Sequence, residues 1–267
     1  METGYSWDTG LLRQLNEDSV LCTTFDMVTH LGKVSAGLFA VADGMGGHNA
    51  GEIASDLATR TLHTECISGL NARSNTPPLS VLAAAFKKAN RKVLDSATAD
   101  ELKGMGTTLT AALVIDGELF VAHVGDSRCY VINRRETIQV TKDHSVVQQM
   151  VDAGIITPEQ AMSHPAKNEI TRVLGYSRSV MPDLHQIKLY DGDNVLLCSD
   201  GLCGVLPSAV IAETVNGAPD PDRACKDLTA QANLAGGPDN ISVIIVKPDN
   251  LPSMQAVTTA ETSLRRT

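Results

Sequence analysis

The runs Thr107 to Ile115 and Leu119 to Val124, apolar and rich in β-branched residues, are joined through Asp116-Gly117. A two-residue turn of this composition requires an antiparallel hairpin, so the chain must contain an antiparallel sheet. Leu38 to Ala42, Val195 to Cys198 and Ile241 to Val246 read as further buried strands. Ala50, Ile53, Ala54, Leu57, Ala58 and Leu62 recur at the spacing of a helix packed on one face. Leu79, Leu82, Ala83, Phe86, Val93 and Ala97 repeat it, and Pro77-Pro78 in the polar stretch between marks a loop joining antiparallel neighbours. Two paired helices therefore cover one face of the sheet.

Further helices are predicted around Val146 to Ala153, Pro207 to Val215 and Arg223 to Leu234. The polar segment 145–174, broken by Gly154 and Pro165, reads as a helical flap inserted into the sheet framework. Residues 1–247 are expected to form one domain, and residues 248–267, polar and without periodicity, a disordered tail.

With 267 residues, 43% of them hydrophobic, the chain can bury a large core, which excludes disordered and collagen-like classes. The net charge of −9, without a basic cluster, makes nucleic acid a poor partner. An acidic chain that acts on phosphate needs cations. No run approaches the roughly 20 apolar residues of a membrane span, nor does the N-terminus read as a signal peptide, so a cytoplasmic location is expected. Six cysteines without a CxxC pair read as reduced, small core residues. With no exposed heptad to drive pairing, a monomer is expected.

Three strands end on a carboxylate: Ala40-Val41-Ala42 runs into Asp43-Gly44, Ala122-His123-Val124 into Gly125-Asp126, and Leu197-Cys198-Ser199 into Asp200-Gly201. Asp239-Asn240 precedes the strand at Ile241, and an antiparallel strand that begins beside another's end places its first residue at the same rim. A single Asp-Gly is usually a plain turn. Four acids at one partly dry rim would repel one another unless cations neutralise them. Oxygen-only ligands select Mg²⁺, Mn²⁺ or Ca²⁺, and no histidine pair has a zinc spacing. Arg13-Gln14-Leu15-Asn16-Glu17-Asp18 adds a fork-shaped cation suited to phosphate and two acids suited to metal-bound water. The glycines of Asp43-Gly44-Met45-Gly46-Gly47 lack the spacing of a dinucleotide loop.

These segments stand in the order of a family's motifs: the Arg13 to Asp18 run, Asp43-Gly44-Met45-Gly46-Gly47-His48, Gly104-Met105-Gly106-Thr107-Thr108, Gly125-Asp126-Ser127-Arg128, Asp143-His144-Ser145, Ser199-Asp200-Gly201 and Asp239-Asn240. From about Thr9 to Lys247 the chain resembles the metal-dependent protein phosphatases of type 2C in their compact bacterial form. The resemblance implies an α+β fold, a four-layer α/β/β/α sandwich of two antiparallel sheets flanked by helix pairs, with the metal site between the sheets. It further implies hydrolysis of phosphoserine and phosphothreonine proteins by a water bridging two Mn²⁺ or Mg²⁺ ions, without a phosphoenzyme, in opposition to a bacterial serine/threonine kinase.

By the same likeness Asp43 bridges the metals, the Gly44 carbonyl binds one, and Asp200 and Asp239 complete the other. Asp126 with Asp200 resembles the pair holding a third, weaker metal; Glu17 and Asp18 resemble acids acting through bound water, and Arg13 a phosphate clamp. Eukaryotic relatives carry a histidine after the Asp-Gly where this chain has Met45. The acid for the leaving alkoxide is then a third-metal water held by Asp126, or His48, or His164 in the flap. Two other readings stay open: a catalytically inactive relative that binds partners, against which stands the full set of aspartates, and a stress-pathway phosphatase, whose relatives carry sensor domains.

Overall fold

The computed structural model describes residues 1–29, 32–46, 50–71, 76–97 and 102–253. In chain order its elements are β1 (Glu2–Asp8), β2 (Asp18–Thr29), β3 (Gly32–Met45), α1 (Gly51–Asn71), α2 (Pro78–Ser96), β4 (Gly106–Thr107), β5 (Leu109–Ile115) and β6 (Glu118–Val124). There follow β7 (Arg128–Ile132), β8 (Thr137–Gln139), α3 (Val146–Asp152), α4 (Pro158–Met162), β9 (Asp183–Lys188), β10 (Asn194–Cys198), α5 (Asp200–Cys203), α6 (Ser208–Gly217), α7 (Pro221–Leu234) and β11 (Ile241–Lys247).

The strands form two antiparallel sheets, one ordered β2-β3-β5-β6-β9 with β4 paired to β3, the other β1-β11-β10-β7-β8. Period-two alternation sends successive side chains to opposite faces, and both faces of the central strands are apolar. Leu38 and Ala40 of β3 and Leu113 of β5 meet Leu62 and Phe86 of α1 and α2. From the reverse face Phe39, Val41 and Val121 meet Val131, Leu197 and Ile244 of the second sheet. The outer face of that sheet presents Tyr130, Leu196 and Ile245 to Ile211 and Leu228 of α6 and α7. Three apolar layers thus hold four layers of structure, the α/β/β/α sandwich expected from the motifs.

Local chemistry sets the boundaries. Asp116 and Gly117 adopt φ of 50° and 76°, the left-handed pair of a type I′ turn, and Ile115 pairs with Glu118 across it. Pro78 opens α2, where a missing N–H costs nothing, and the Asp220 side chain accepts from Arg223 N to cap α7. Among the described residues no helix is long and apolar enough to cross a membrane.

Between β8 and β9 the chain carries α3 and α4, capped by Ser145 and by a Thr157/Gln160 capping box. The limbs of this insert are tied together by Val146 N donating to Glu169 O (2.9 Å), and Leu174 N donates to Thr107 O (2.9 Å) of β4. Residues 248–253 are held to the domain: Asp249 pairs with the N-terminal ammonium (2.6 Å), Asp191 N donates to Pro252 O (3.0 Å), and Leu251 packs on the layer between the sheets. The remainder of the expected tail, 254–267, lies outside the described residues.

Candidate metal centre

Each sheet contributes one side of an acidic rim. In the first, Asp18 opens β2 and lies opposite Asp43, near the end of β3. In the second, β10 runs into Ser199 and Asp200 while β11 starts just after Asp239 and Asn240, and Ser199 N donates to Ser242 O (3.0 Å). The exit of one strand and the entry of its antiparallel neighbour therefore share an end. Packing there is tight: a Cβ on Gly201 would stand 1.9 Å from Asn240 O, and one on Gly44 would stand 2.1 Å from Gly51 O and 2.5 Å from Glu17 O. Only glycine lets these backbones meet.

Short polar links lock the rim. Ser199 Oγ donates to Asp18 Oδ2 (2.8 Å) and accepts from Ser242 N (3.0 Å), tying the first sheet to the second. Asn240 Oδ1 accepts from Glu17 N (2.8 Å), and its Nδ2 donates to Thr9 O and Leu15 O (both 3.0 Å). One amide thus carries the loop that presents Arg13, whose guanidinium donates to Asp239 Oδ2 (2.7 Å). Thr108 Oγ1 accepts from Asp43 N (2.9 Å) and lies 2.7 Å from Ser127 Oγ, joining the Asp43 and Asp126 segments.

Asp18 and Asp126 are buried and Asp43, Asp200, Asp239 and Glu17 half-buried. One oxygen each of Asp18, Asp126 and Asp200 is shielded from water with no hydrogen-bond partner. Burial pushes the Asp18 carboxyl up to about 8, with Asp200 and Asp239 adding to the rise while Ser242 and Ser199 oppose it. Asp43 is driven well above the carboxylate range by burial and then by the charges of Asp18, Asp200, Asp126 and Asp239. Asp126 rises through burial and the charges of Asp200 and Asp143; Asp200 rises through burial and Asp239. Glu17 rises through burial and Glu52. Such a group ionises fully only beside a countercharge.

Among the described residues no three acids close on one point as a finished cage. Orphaned carboxylate oxygens, the Gly44 carbonyl and the absence of histidine or thiolate from this set fit a hard divalent cation such as Mg²⁺ or Mn²⁺.

Of the other expected site residues, His164 is half-buried in the insert, its Nδ1 accepting from Ala166 N (3.1 Å). The charge of Lys167 in the same turn offsets a small part of the rise at the Asp200 carboxyl. His48 lies outside the described residues. The sequence reading missed the parts played by Asn240, Ser199 and Thr108, although each stands inside a quoted motif.

The sequence matches the family model described as protein phosphatase 2C over residues 12–241. The chain belongs to the protein phosphatase 2C family. Among its members, the serine/threonine phosphatase stp of Listeria monocytogenes serotype 4b is 34% identical over 251 residues, 93% of this chain and 96% of that one. The PstP phosphatase of Mycobacterium tuberculosis is 39% identical over 243 residues, 89% of this chain and 43% of PstP. A crystal structure of the mycobacterial protein superposes with a TM-score of 0.78 at 37% identity, covering 92% of this chain and 98% of that one. The catalytic domain of a PstP serine/threonine phosphatase in complex with two manganese ions likewise superposes with a TM-score of 0.78 at 36% identity, covering 91% of this chain and 96% of that one. Stp1 of Staphylococcus aureus gives a TM-score of 0.80 at 34% identity, covering 94% and 96%. The 2C phosphatase fold is thus shared along nearly the whole of this chain.

Proposed function

We propose that this 2C phosphatase hydrolyses phosphoserine and phosphothreonine in proteins by direct transfer of the phosphoryl group to water. The observation that carries the reading is the rim of buried and half-buried acids drawn from both sheets, where Asp18, Asp126 and Asp200 each have an orphaned oxygen and Asp18, Asp43, Asp126 and Asp200 resist ionisation. Asp43 and the Gly44 carbonyl, with Asp200 and Asp239, would hold two divalent ions, and Asp126 with Asp200 a weaker third. When bound, the ions supply countercharge and lower the pKa of a water toward neutrality.

The protein's own groups do the positioning. Ser199 donates to one oxygen of Asp18, which leaves the orphaned Oδ1 to accept from a water. Arg13 is exposed and keeps further N–H donors for phosphate oxygens while one nitrogen rests on Asp239. Attack opposite the ester oxygen breaks the bond from phosphorus to the serine or threonine oxygen, and the departing alkoxide takes a proton, for which the candidates are His48, His164 and a water held at Asp126. Burial lifts the thiol of Cys66 to about 12 and raises those of Cys129 and Cys225, so none of these three competes as a nucleophile. A cognate kinase, a monomeric state and a cytoplasmic location complete the reading.

Phosphothreonine peptide and p-nitrophenyl phosphate should be turned over with Mn²⁺ and not after chelation. Arg13→Ala should raise KM for the peptide about tenfold, the value of a charge-assisted phosphate contact. Metal-loaded protein inert on both substrates would favour the partner-binding reading, and an unchanged KM would remove Arg13 from the phosphate site.

A further inference from the structure

Gly125, directly before Asp126, has both of its peptide groups held by one residue. Its N–H donates to His144 Nδ1 (3.0 Å), and its carbonyl accepts from His144 N (2.7 Å). The fit is close, since Gly125 has φ of 120° and a Cβ there would come 2.5 Å from that of Thr108. Because Nδ1 accepts, the ring proton of His144 sits on Nε2 and points to Asp183 Oδ2 (3.1 Å). The other oxygen of Asp183 accepts from Arg172 NH1 (2.6 Å), which belongs to the returning limb of the insert. Thr171 N donates to His144 O (2.7 Å), so this limb reaches His144 through the main chain as well. The imidazole is buried and stacks on His123 at 4.8 Å. Next to it, Asp143 grips Arg128 with two bonds of 2.8 and 2.7 Å, closing the other end of the turn that holds Asp126.

We propose that His144 is a positioning residue for Asp126, and that Arg172, Asp183 and His144 form a relay through which the insert sets the affinity of the weak divalent-cation site. The proposal rests on the reading of Asp126 as a ligand of that site. A side chain can aim its oxygen only as well as its backbone is fixed, and Gly125 is fixed by His144 on both sides. Loss of the ring frees the Gly125 N–H and lets Asp126 turn away; loss of Asp183 lets the ring rotate off that N–H. Outer partners of this kind typically set metal affinity by about tenfold or more.

The test is Mn²⁺ binding to the full-length, initially metal-free protein, followed by calorimetry and by the paramagnetic resonance of free Mn²⁺, with no substrate present. His144→Ala should weaken the weakest binding step about tenfold and leave the tighter steps unchanged. His144→Asn, which returns an acceptor near the position of Nδ1, should recover most of the loss. Asp183→Ala, at a half-exposed site that tolerates truncation, should shift the same step in the same direction and carries the test if His144→Ala does not fold. An unaltered weak step in His144→Ala or Asp183→Ala, equal weakening of every step, or no recovery in His144→Asn would overturn the relay. Asp126→Asn separates the two readings: if the weak step survives it, the assignment of Asp126 fails; if it vanishes there yet is untouched without His144, only the relay fails.

Discussion

Asp43→Asn should leave a folded protein about three orders of magnitude less active on phosphothreonine peptide at saturating Mn²⁺, a loss of ~4 kcal/mol in transition-state stabilisation. Asp43 is repelled by the charges of Asp18, Asp200, Asp126 and Asp239 together, and on the proposed reading its carboxylate would serve more than one ion. The amide keeps the shape and removes the charge. The same change should stabilise the metal-free protein by about 1–2 kcal/mol, because it relieves a buried repulsion and leaves neutral groups in its place. Activity within tenfold of wild type, measured as kcat at saturating metal, would show that Asp43 is not the shared ligand. A metal-free melting temperature that falls instead would mean that the carboxylate has a structural partner in place of a cation.

Lowering the pH from 8 to 6.5 in the presence of a chelator should raise the melting temperature; below 6.5 the depressed imidazoles of His123, His144 and His185 act in the opposite direction. The folded-state carboxyls of Asp18, Asp43, Asp126 and Asp200 all lie above their unfolded values, so each contributes stability that is fully present below an unfolded value near 4 and is lost as pH rises through the folded one. For Asp18, raised to about 8, the window spans the whole interval from 4 to 8. Since the four acids repel one another they do not add independently, and the sum is on the order of a few kcal/mol, or about 5–10 °C for a domain of this size. Mn²⁺ at about a hundredfold over its dissociation constant adds ~2.7 kcal/mol, and that gain should be larger at pH 8 than at pH 5, where protons compete for the same oxygens. Scanning calorimetry at several pH values, with chelator and with Mn²⁺, checks both signs. A melting temperature indifferent to pH between 8 and 6.5 in chelator would mean that these carboxyls are not held against ionisation.

What could be read in the sequence were the elements whose chemistry is local. The β5-β6 hairpin follows from Asp116-Gly117, the helix pair from two apolar stripes around Pro77-Pro78, and β3, β10 and β11 from runs apolar on both faces, whereas the interior strand β7 was not read. Strands β1, β2 and β9 escaped because they lie at sheet edges, where one face is wet and the apolar signal is halved; Asp183 to Lys188 alternates half-buried with exposed positions all along. With β2 unread, nothing placed Asp18 opposite Asp43, a register only the pairing supplies. Expecting the Asp43, Asp126 and Asp200 ends at one rim was possible because strand exits are local. The contact of Arg13 with Asp239 joins residues 226 apart, and the grip of His144 on Gly125 is one of ring geometry, which no spacing encodes.

Crystals grown without metal and soaked in Mn²⁺, with diffraction collected at the manganese edge, probe the acidic rim itself. Two anomalous peaks should appear within ligand distance of Asp43, one of them also reached by Asp200 and Asp239, at about 2.0–2.3 Å from oxygen. Saturating Mn²⁺ that leaves this rim without anomalous density, or that binds only at surface carboxylates elsewhere, would contradict the reading of these acids as a cation site.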